Sequence, residues 1–198
     1  MAVATAVEFK RFIVEKPKIR QPRKPRTVGE YLNFDPRDGF KYEWVNGKLI
    51  KRTMLKKEHY YIINNLTRFF ATLSAYAEGH SVQPEAQSAT TNEDYRVPDL
   101  TYFTLEQQRL MYAGVSQTPP FLVEVISKND DLIKCEEKLD EYFTAGVQIV
   151  WHIIPEFEKV YVYTSFDDVI ICRGNTIASA ESVVKGFALP AKDIFKKP

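Results

Sequence analysis

Residues 121–127, with the sequence FLVEVIS, have the pattern of a β-strand that is buried on both faces. Side chains alternate along a strand, so Phe121, Val123 and Val125 share one face, and Glu124 lies on the other between two further apolar residues. An isolated ionised carboxylate is very costly to bury. We therefore expect Glu124 to have a cation, a strong hydrogen-bonding partner or a raised pKa. A position near an exposed strand end, or a structural ion pair with Lys or Arg, is the alternative.

The elements that precede this strand are predicted from turn and helix signals. Residues 41–51, KYEWVNGKLIK, predict a β-hairpin that turns at Asn46 and Gly47, because both turn positions favour positive φ. Apolar residues at helical spacing predict a long helix over residues 57–77, which Gly79 would end. The N-terminal part of the fold is therefore a hairpin followed by a helix.

Strands and one further helix fill the rest of the chain. Residues 95–103 are predicted as a strand with a Pro-Asp step, and residues 130–146 as a helix ended by a glycine. Residues 147–154 and 159–164 are predicted as strands. This order predicts an α/β (α+β) fold with a mixed central β-sheet flanked by helices and an N-terminal β-hairpin, in a single domain over residues 27–198.

The composition is that of a globular protein, with 198 residues, 44% hydrophobic and 27% charged residues, and a formal net charge of +1. Cys135 and Cys172 form no Cys-x-x-Cys pair, and the histidines lack zinc-ligand spacing, so neither a disulfide framework nor a structural zinc is expected. No apolar run approaches the roughly 20 residues that span a bilayer. The N-terminus lacks a signal-peptide pattern, so we expect no membrane partner and a cytoplasmic location.

The segment before residue 27 is basic. Residues 16–26, KPKIRQPRKPR, contain many Lys and Arg, three Pro and no acidic residue, so we predict a basic, flexible or partly extended arm over residues 1–26. Thr27 is predicted to cap a short helix in TVGEYL, with Glu30 at capping-box spacing. The arm is either a solvated tail or a contact to phosphate, which would make binding depend on salt. The residues expected to contact nucleic acid are Arg20, Arg23, Lys24 and Arg26.

Two further residues are candidates to join Glu124 in one site. Asp99 also lies in an apolar context, VPDLTYF, one predicted strand earlier. Carboxylates on neighbouring strands can converge on a hard divalent cation, and a turn or a bulge is the alternative for the Pro-Asp step. On the helix of residues 130–146, Lys138 lies at the edge of the apolar arc beside Tyr142, so its ammonium can reach the strand ends. A surface salt bridge is the alternative for this lysine.

With these residues in place, the chain resembles the Uma-two-like family of the PD-(D/E)XK restriction-endonuclease-like superfamily. The resemblance covers nearly all of residues 27–155 and is carried by TVGEYL, YEWVNGKL, EHYYIINNL, VPDL, PPFLVEVIS and EEKLDEYFTAGVQIVWHIIP. It implies a restriction-endonuclease-like core and a Mg²⁺-dependent endonuclease that hydrolyses phosphodiester bonds in DNA, with Mn²⁺ able to replace Mg²⁺. We expect a homodimer, because cutting two strands with one site per chain favours a symmetric pair.

The resemblance also implies roles for individual residues. Asp99 matches the acid of the Pro-Asp step and Glu124 the acid of the second motif, and both would bind the metal together with the backbone carbonyl of Val125. The superfamily usually has its lysine two residues after the second acid, where this chain has Ile126. In the Uma-two-like family the lysine lies on the next helix, where Lys138 matches. Lys138 would orient or deprotonate the attacking water, or neutralise phosphate charge.

Other matches to the family leave the roles open. Glu43, before the hairpin turn, matches an acidic residue that would be a further metal ligand or an orienting group. His59 matches a histidine that opens the long helix, where it is either structural or catalytic. Family members often have an acidic residue four positions before the helix lysine, but this chain has Lys134 there. The alternative function is therefore a DNA-binding or structural protein that has kept the fold and lost cleavage.

Overall fold

The computed structural model describes residues 22–52 and 57–198, which form a mixed α/β fold. The helices are α1 (Val28–Leu32), α2 (Lys57–Phe70), α3 (Ser74–Ala77), α4 (Leu105–Tyr112), α5 (Leu132–Thr144) and α6 (Ala191–Ile194). The strands are β1 (Lys41–Val45), β2 (Lys48–Arg52), β3 (Ser81–Pro84), β4 (Ser88–Ala89), β5 (Tyr95–Arg96), β6 (Leu100–Phe103), β7 (Phe121–Val125), β8 (Ile149–Ile154), β9 (Lys159–Tyr163), β10 (Val169–Arg173), β11 (Ile177–Ser179) and β12 (Ala188–Pro190). Within these ranges no helix has the length and apolar character needed to cross a bilayer.

The central sheet has six strands in the order β10-β9-β8-β7-β6-β3. β7 and β8 are parallel and are joined by a crossover through α5, whereas the other neighbouring pairs are antiparallel. All five residues of β7 are buried, because the strand lies between two others and both of its faces are covered. The prediction of a mixed central sheet flanked by helices is confirmed.

Two apolar layers cover the faces of β7. The odd-numbered residues of the strand belong to the larger core, which also contains residues of α2 and α6. On the opposite face Leu122 packs in a smaller core with Leu139 and Tyr142 of α5. Because side chains alternate along the strand, Glu124 lies on the face that α5 covers.

The predicted N-terminal hairpin is confirmed. β1 and β2 are antiparallel, and the turn residues Asn46 and Gly47 have φ values of 50° and 68°. β1 also pairs with β5 through Trp44 and Tyr95, in a four-stranded sheet of order β2-β1-β5-β4. Since β5 leads through the Pro-Asp step into β6, this pairing holds the hairpin beside Asp99.

The helix predicted over residues 57–77 is wrong in its length. α2 stops earlier, and α3 is a separate short helix. The hydroxyl of Thr72 donates to the carbonyl of Phe69 at 2.7 Å, and Leu73 has extended backbone, so the helical hydrogen bonds do not continue through this segment. Gly79, with a φ of 87°, ends α3.

The structure also differs from the sequence patterns in the middle of the chain. The strand predicted over residues 95–103 is divided by the Pro-Asp step into β5 and β6, which belong to different sheets. Helix α4 was not predicted, although Thr104 and Gln107 form a capping box at its start. The S/T-x-x-Q spacing is the sequence signal that would have identified it.

The arm predicted over residues 1–26 lies outside the described residues up to position 21, and Arg20 is among the residues outside. The division into an arm and a single domain over residues 27–198 stays a prediction. The short helix after the arm is confirmed, because Thr27 caps α1 by accepting a hydrogen bond from the N–H of Glu30.

Candidate active site

One cleft of about 440 Å³ lies between the hairpin, the Pro-Asp step, the end of β7 and the first turns of α5. The residues predicted from sequence for the catalytic or metal site all line it: Glu43, His59, Asp99, Glu124, Val125 and Lys138. The strand order explains this arrangement, because β6, β7 and β8 are neighbours and β1 is held beside them by β5.

Glu124 is 6% exposed and is bound from α5 by two donors. Its Oε1 accepts a hydrogen bond of 2.6 Å from the hydroxyl of Tyr142 and one of 2.9 Å from the ammonium of Lys138. Burial acts to raise the pKa of Glu124, but Lys138, Lys41 and the Tyr142 hydroxyl outweigh it, so the pKa is lowered. The carboxylate that looked anomalous in an apolar strand is therefore ionised and paired.

Glu43 is fully buried at the centre of an ionic network. Its carboxylate lies 2.8 Å from Nε of Arg52, 3.1 Å from Nη1 of Arg96 and 3.2 Å from Nζ of Lys138. Burial opposes ionisation, but the three cations outweigh it and hold the pKa of Glu43 at about 2. Arg96 also binds Glu141 of α5 through two hydrogen bonds of 2.7 Å. The network ties the hairpin, β5 and α5 together around Lys138.

Asp99 lies between β5 and β6 and is 7% exposed. Its Oδ2 accepts a hydrogen bond of 2.7 Å from the backbone N–H of Val125, and its Oδ1 lies 3.0 Å from Nζ of Lys41. Burial and the charge of Glu124 raise the pKa of Asp99 to about 6, with Lys41 acting against them. The bond to Val125 holds the Pro-Asp step against the end of β7, so the two carboxylates face the same cleft.

Lys41 is a site residue that the sequence analysis missed. It lines the cleft from β1, and its ammonium contacts Asp99, the carbonyl of Val97 at 3.2 Å and Oε1 of Glu85 at 3.5 Å. Lys41 is two positions before Glu43 on the same strand, so both side chains are on one face. That spacing is the signal from which Lys41 could have been found.

His152 was also missed. In the parallel pairing of β7 and β8 it lies opposite Glu124, and it is 5% exposed with its ring against Tyr163 at 5.1 Å between centroids. Burial lowers the pKa of His152 to about 4, with Lys138 adding to the shift and Glu124 opposing it. The imidazole is therefore neutral at pH 7. A histidine within the apolar run of β8 is the sequence signal for it.

The oxygen donors of the cleft fit a hard divalent cation. Asp99 and Glu124 are carboxylates from adjacent segments, and Mg²⁺ is typically bound through one or two carboxylates while it keeps several waters. In the described part of the chain no three His, Cys, Asp or Glu side chains are grouped closely enough to hold a metal by themselves. This donor set suits Mg²⁺ or Mn²⁺ and does not suit a structural zinc site.

The described arm residues lie elsewhere on the surface. Arg23, Lys24 and Arg26 are exposed, and Arg23 and Lys24 line a separate depression beside α1 together with Arg37. None of the three belongs to the lining of the cleft. Their contact to nucleic acid therefore stays a prediction.

Comparisons with known proteins agree with this fold. The family model described as "Uma2: Putative restriction endonuclease" matches residues 28–192. The crystal structure of "a putative nuclease belonging to DUF820" from Anabaena variabilis ATCC 29413 has a TM-score of 0.71, with 19% identity, and the match covers 86% of this chain and 98% of that chain. At that identity the likeness is evidence for the fold alone. No curated protein matches the sequence. The family match spans most of the chain, and the chain therefore belongs to the Uma2 family, described as putative restriction endonucleases.

Proposed function

We propose that the protein is a Mg²⁺-dependent endonuclease that hydrolyses phosphodiester bonds of DNA in this cleft. The observation that carries the proposal is the convergence of Asp99, Glu124 and Lys138 on one open cleft, from the Pro-Asp step, β7 and α5. Membership of a family described as restriction endonucleases supports nuclease-like activity.

The roles of the two acids follow from their position. Asp99 and Glu124 would hold the ion, with the carbonyl of Val125 as a further oxygen donor. When bound, the ion supplies Lewis-acid stabilisation of the charge that develops on the scissile phosphate. Asp99 is poised for this role, because a carboxylate whose pKa is about 6 is largely ionised at pH 7 and gains from an added positive charge.

Lys138 acts as a cation in this proposal. Burial works to lower its pKa, but Glu124 and Glu43 outweigh burial and raise it, so the ammonium keeps its proton at neutral pH. A permanently charged ammonium orients the attacking water and neutralises a phosphate oxygen, whereas a general base would need a lowered pKa. Of the roles expected from the family, orientation and charge neutralisation are favoured.

Glu43 is a positioning residue in this proposal. Glu43 lines the cleft, but its carboxylate is fully buried and its oxygens are already shared by Arg52, Arg96 and Lys138. It fixes Lys138 in the direction of Glu124. Of the two roles expected for Glu43, ligand or orienting group, the contacts support the second.

One observation favours the alternative function. Each carboxylate of the pair already has a lysine, since Lys41 binds Asp99 and Lys138 binds Glu124. The cleft is thus charge-balanced without a metal, as it would be in a DNA-binding or structural protein that has lost cleavage. Metal binding separates the two functions.

The experiment is a calorimetric titration of Mg²⁺ and Mn²⁺ into the wild type, Asp99→Asn and Glu124→Gln, with plasmid nicking measured on the same samples. Amides are preferred to alanine because Glu124 accepts from both Tyr142 and Lys138, and alanine would leave those buried donors without a partner. Asp140→Asn is the matched control, because Asp140 is exposed on α5 and outside the cleft.

We expect ion binding and nicking by the wild type and the control, and loss of both in the two site variants. A folded wild type that binds no ion and leaves the plasmid intact would reject the nuclease and support the alternative. Sedimentation of the same samples would test the expected homodimer.

A further inference from the structure

Lys41 differs from Lys138 in how firmly its ammonium is held. Lys138 is shared by Glu124 and by Glu43, which is fully buried, so it keeps a carboxylate partner when Glu124 takes up a metal. The ammonium of Lys41 contacts Asp99 at 3.0 Å, the neutral carbonyl of Val97 at 3.2 Å and the more exposed Glu85 at 3.5 Å. Asp99 is thus the main carboxylate partner of Lys41.

A divalent ion on Asp99 would change that partnership. The ion and the ammonium of Lys41 would compete for the same carboxylate, and two positive groups a few ångströms apart repel each other strongly where burial excludes water. Lys41 lines an open cleft, and a lysine stem has four carbons with rotatable bonds, so the ammonium can move without a change of the backbone. Besides the carboxylates that already line the cleft, the anion newly available to Lys41 would be a phosphate of bound nucleic acid.

We propose that Lys41 is a second phosphate-binding residue of the cleft, held by Asp99 in the metal-free protein and released to a phosphate oxygen when a divalent ion occupies Asp99. The inference rests on the proposed function, because it needs both an ion on Asp99 and DNA in the cleft. Lysine is a point-charge binder of phosphate, and the switch of partner involves no covalent step. It makes the binding of metal and of DNA mutually reinforcing, since linkage between two ligands is reciprocal.

The first test measures phosphate contacts directly. A labelled DNA duplex is titrated with protein in the presence of Ca²⁺, which shares the preference for oxygen ligands, over a series of KCl concentrations. The slope of log K against log salt falls by about 0.9 for each lost contact to duplex phosphate. We expect that decrease for Lys41→Met and no decrease for Lys41→Arg. Lys48→Met is the matched control, because Lys48 is exposed on the same hairpin and outside the cleft.

The second test measures the metal in the absence of DNA. In Lys41→Met the ion no longer displaces an ammonium from Asp99, so calorimetry with Mn²⁺ should give several-fold tighter binding than in the wild type. If the salt bridge with Lys41 is instead needed to keep Asp99 in position, Lys41→Met should bind Mn²⁺ more weakly or unfold. Tighter metal binding with weaker DNA binding in one variant is therefore the signature of the switch.

A third comparison tests the inference even if Lys41→Met does not fold. In Asp99→Asn the ammonium loses its main carboxylate partner without any ion and keeps only Glu85 and the Val97 carbonyl, so this variant should bind DNA in EDTA with a salt slope about 0.9 steeper than Asp99→Asn/Lys41→Met. In Lys41→Met the buried Asp99 carboxylate loses its lysine partner, which is the main reason why that variant would unfold. Neither of these two proteins carries the Asp99 charge.

An unchanged salt slope in Lys41→Met, or equal slopes for the two Asp99→Asn proteins, would overturn the inference while leaving the nuclease intact. If the wild type binds neither ion nor DNA, the proposed function fails and the inference falls with it. The two failures are distinct. When only the inference fails, the wild type still binds both ion and DNA; when the proposed function fails, the wild type binds neither.

Discussion

The hydroxyl of Tyr142 donates a hydrogen bond of 2.6 Å to Oε1 of Glu124, and both side chains are buried on the α5 face of the central sheet. Lys138, four residues earlier on the same helix, binds the same oxygen at 2.9 Å. Residues four apart lie on one face of a helix, so α5 presents two hydrogen-bond donors to the carboxylate of Glu124, one neutral and one charged. A lysine on the helix can thus form the ion pair with the carboxylate on the strand, although β7 itself has no lysine.

Tyr142→Phe should lower the free energy of unfolding by about 1.5–3 kcal/mol, because a hydrogen bond to a charged and buried acceptor is lost. Urea denaturation at pH 7 measures the change. Tyr112→Phe is the control, because Tyr112 is 97% exposed. This variant should have the same free energy of unfolding as the wild type. Equal stability of the wild type and Tyr142→Phe would mean that the hydroxyl does not stabilise Glu124.

Glu43→Gln should be much more destabilising than the loss of a surface carboxylate. Removing the charge leaves Arg52, Arg96 and Lys138 without their common partner, and breaking a buried ionic network costs about 3–5 kcal/mol. Glu106→Gln is the control, because its pair with Arg109 is exposed and should contribute less than about 1 kcal/mol. A stable Glu43→Gln protein that has lost metal binding would instead make Glu43 a ligand.

Asp99→Asn should gain stability relative to the wild type as the pH rises, in EDTA. The pKa of Asp99 is raised from 3.8 to about 6, mainly by burial, so folding favours the protonated form. Its stabilising contribution is complete below pH 3.8 and is lost as the pH rises through 6. Asn has no proton to lose. The free energy of unfolding of Asp99→Asn should therefore rise relative to that of the wild type by on the order of 2 kcal/mol between pH 4 and 7. Urea denaturation across this range tests it, and a constant difference would contradict it.

The parts of the fold that sequence predicted are those with strong local signals. Asn46 and Gly47 fix the hairpin turn because both adopt positive φ, and the alternation along β7 predicts a strand covered on two sides. The end of α2 was mispredicted, because apolar periodicity continues past the point where Thr72 hydrogen-bonds to the preceding turn. A side-chain hydrogen bond of that kind leaves no trace in hydrophobic spacing.

The site was predictable only in part, for a related reason. Asp99 and Glu124 were identified because a carboxylate in an apolar strand is anomalous and because the family resemblance matched both. Lys41 and His152 were missed, because their sequence signals mark only the face of a strand, whereas the order of strands in the two sheets brings them to the site. Periodicity gives the face on which a side chain lies but not which strand lies beside it.

His152 should destabilise the folded wild type as the pH drops from 6.5 toward 4, against the stability that protonation of Asp99 adds in the same range. Burial lowers the pKa of His152 from 6.5 to about 4, so its contribution is complete above pH 6.5 and disappears as the unfolded chain, but not the folded protein, takes up a proton. His152→Gln and His152→Leu lack this proton and should lose less stability over the same range. Urea denaturation at several pH values measures the difference. Parallel pH profiles for the wild type and both variants would show that the imidazole beside Glu124 is protonated equally in the folded and unfolded states.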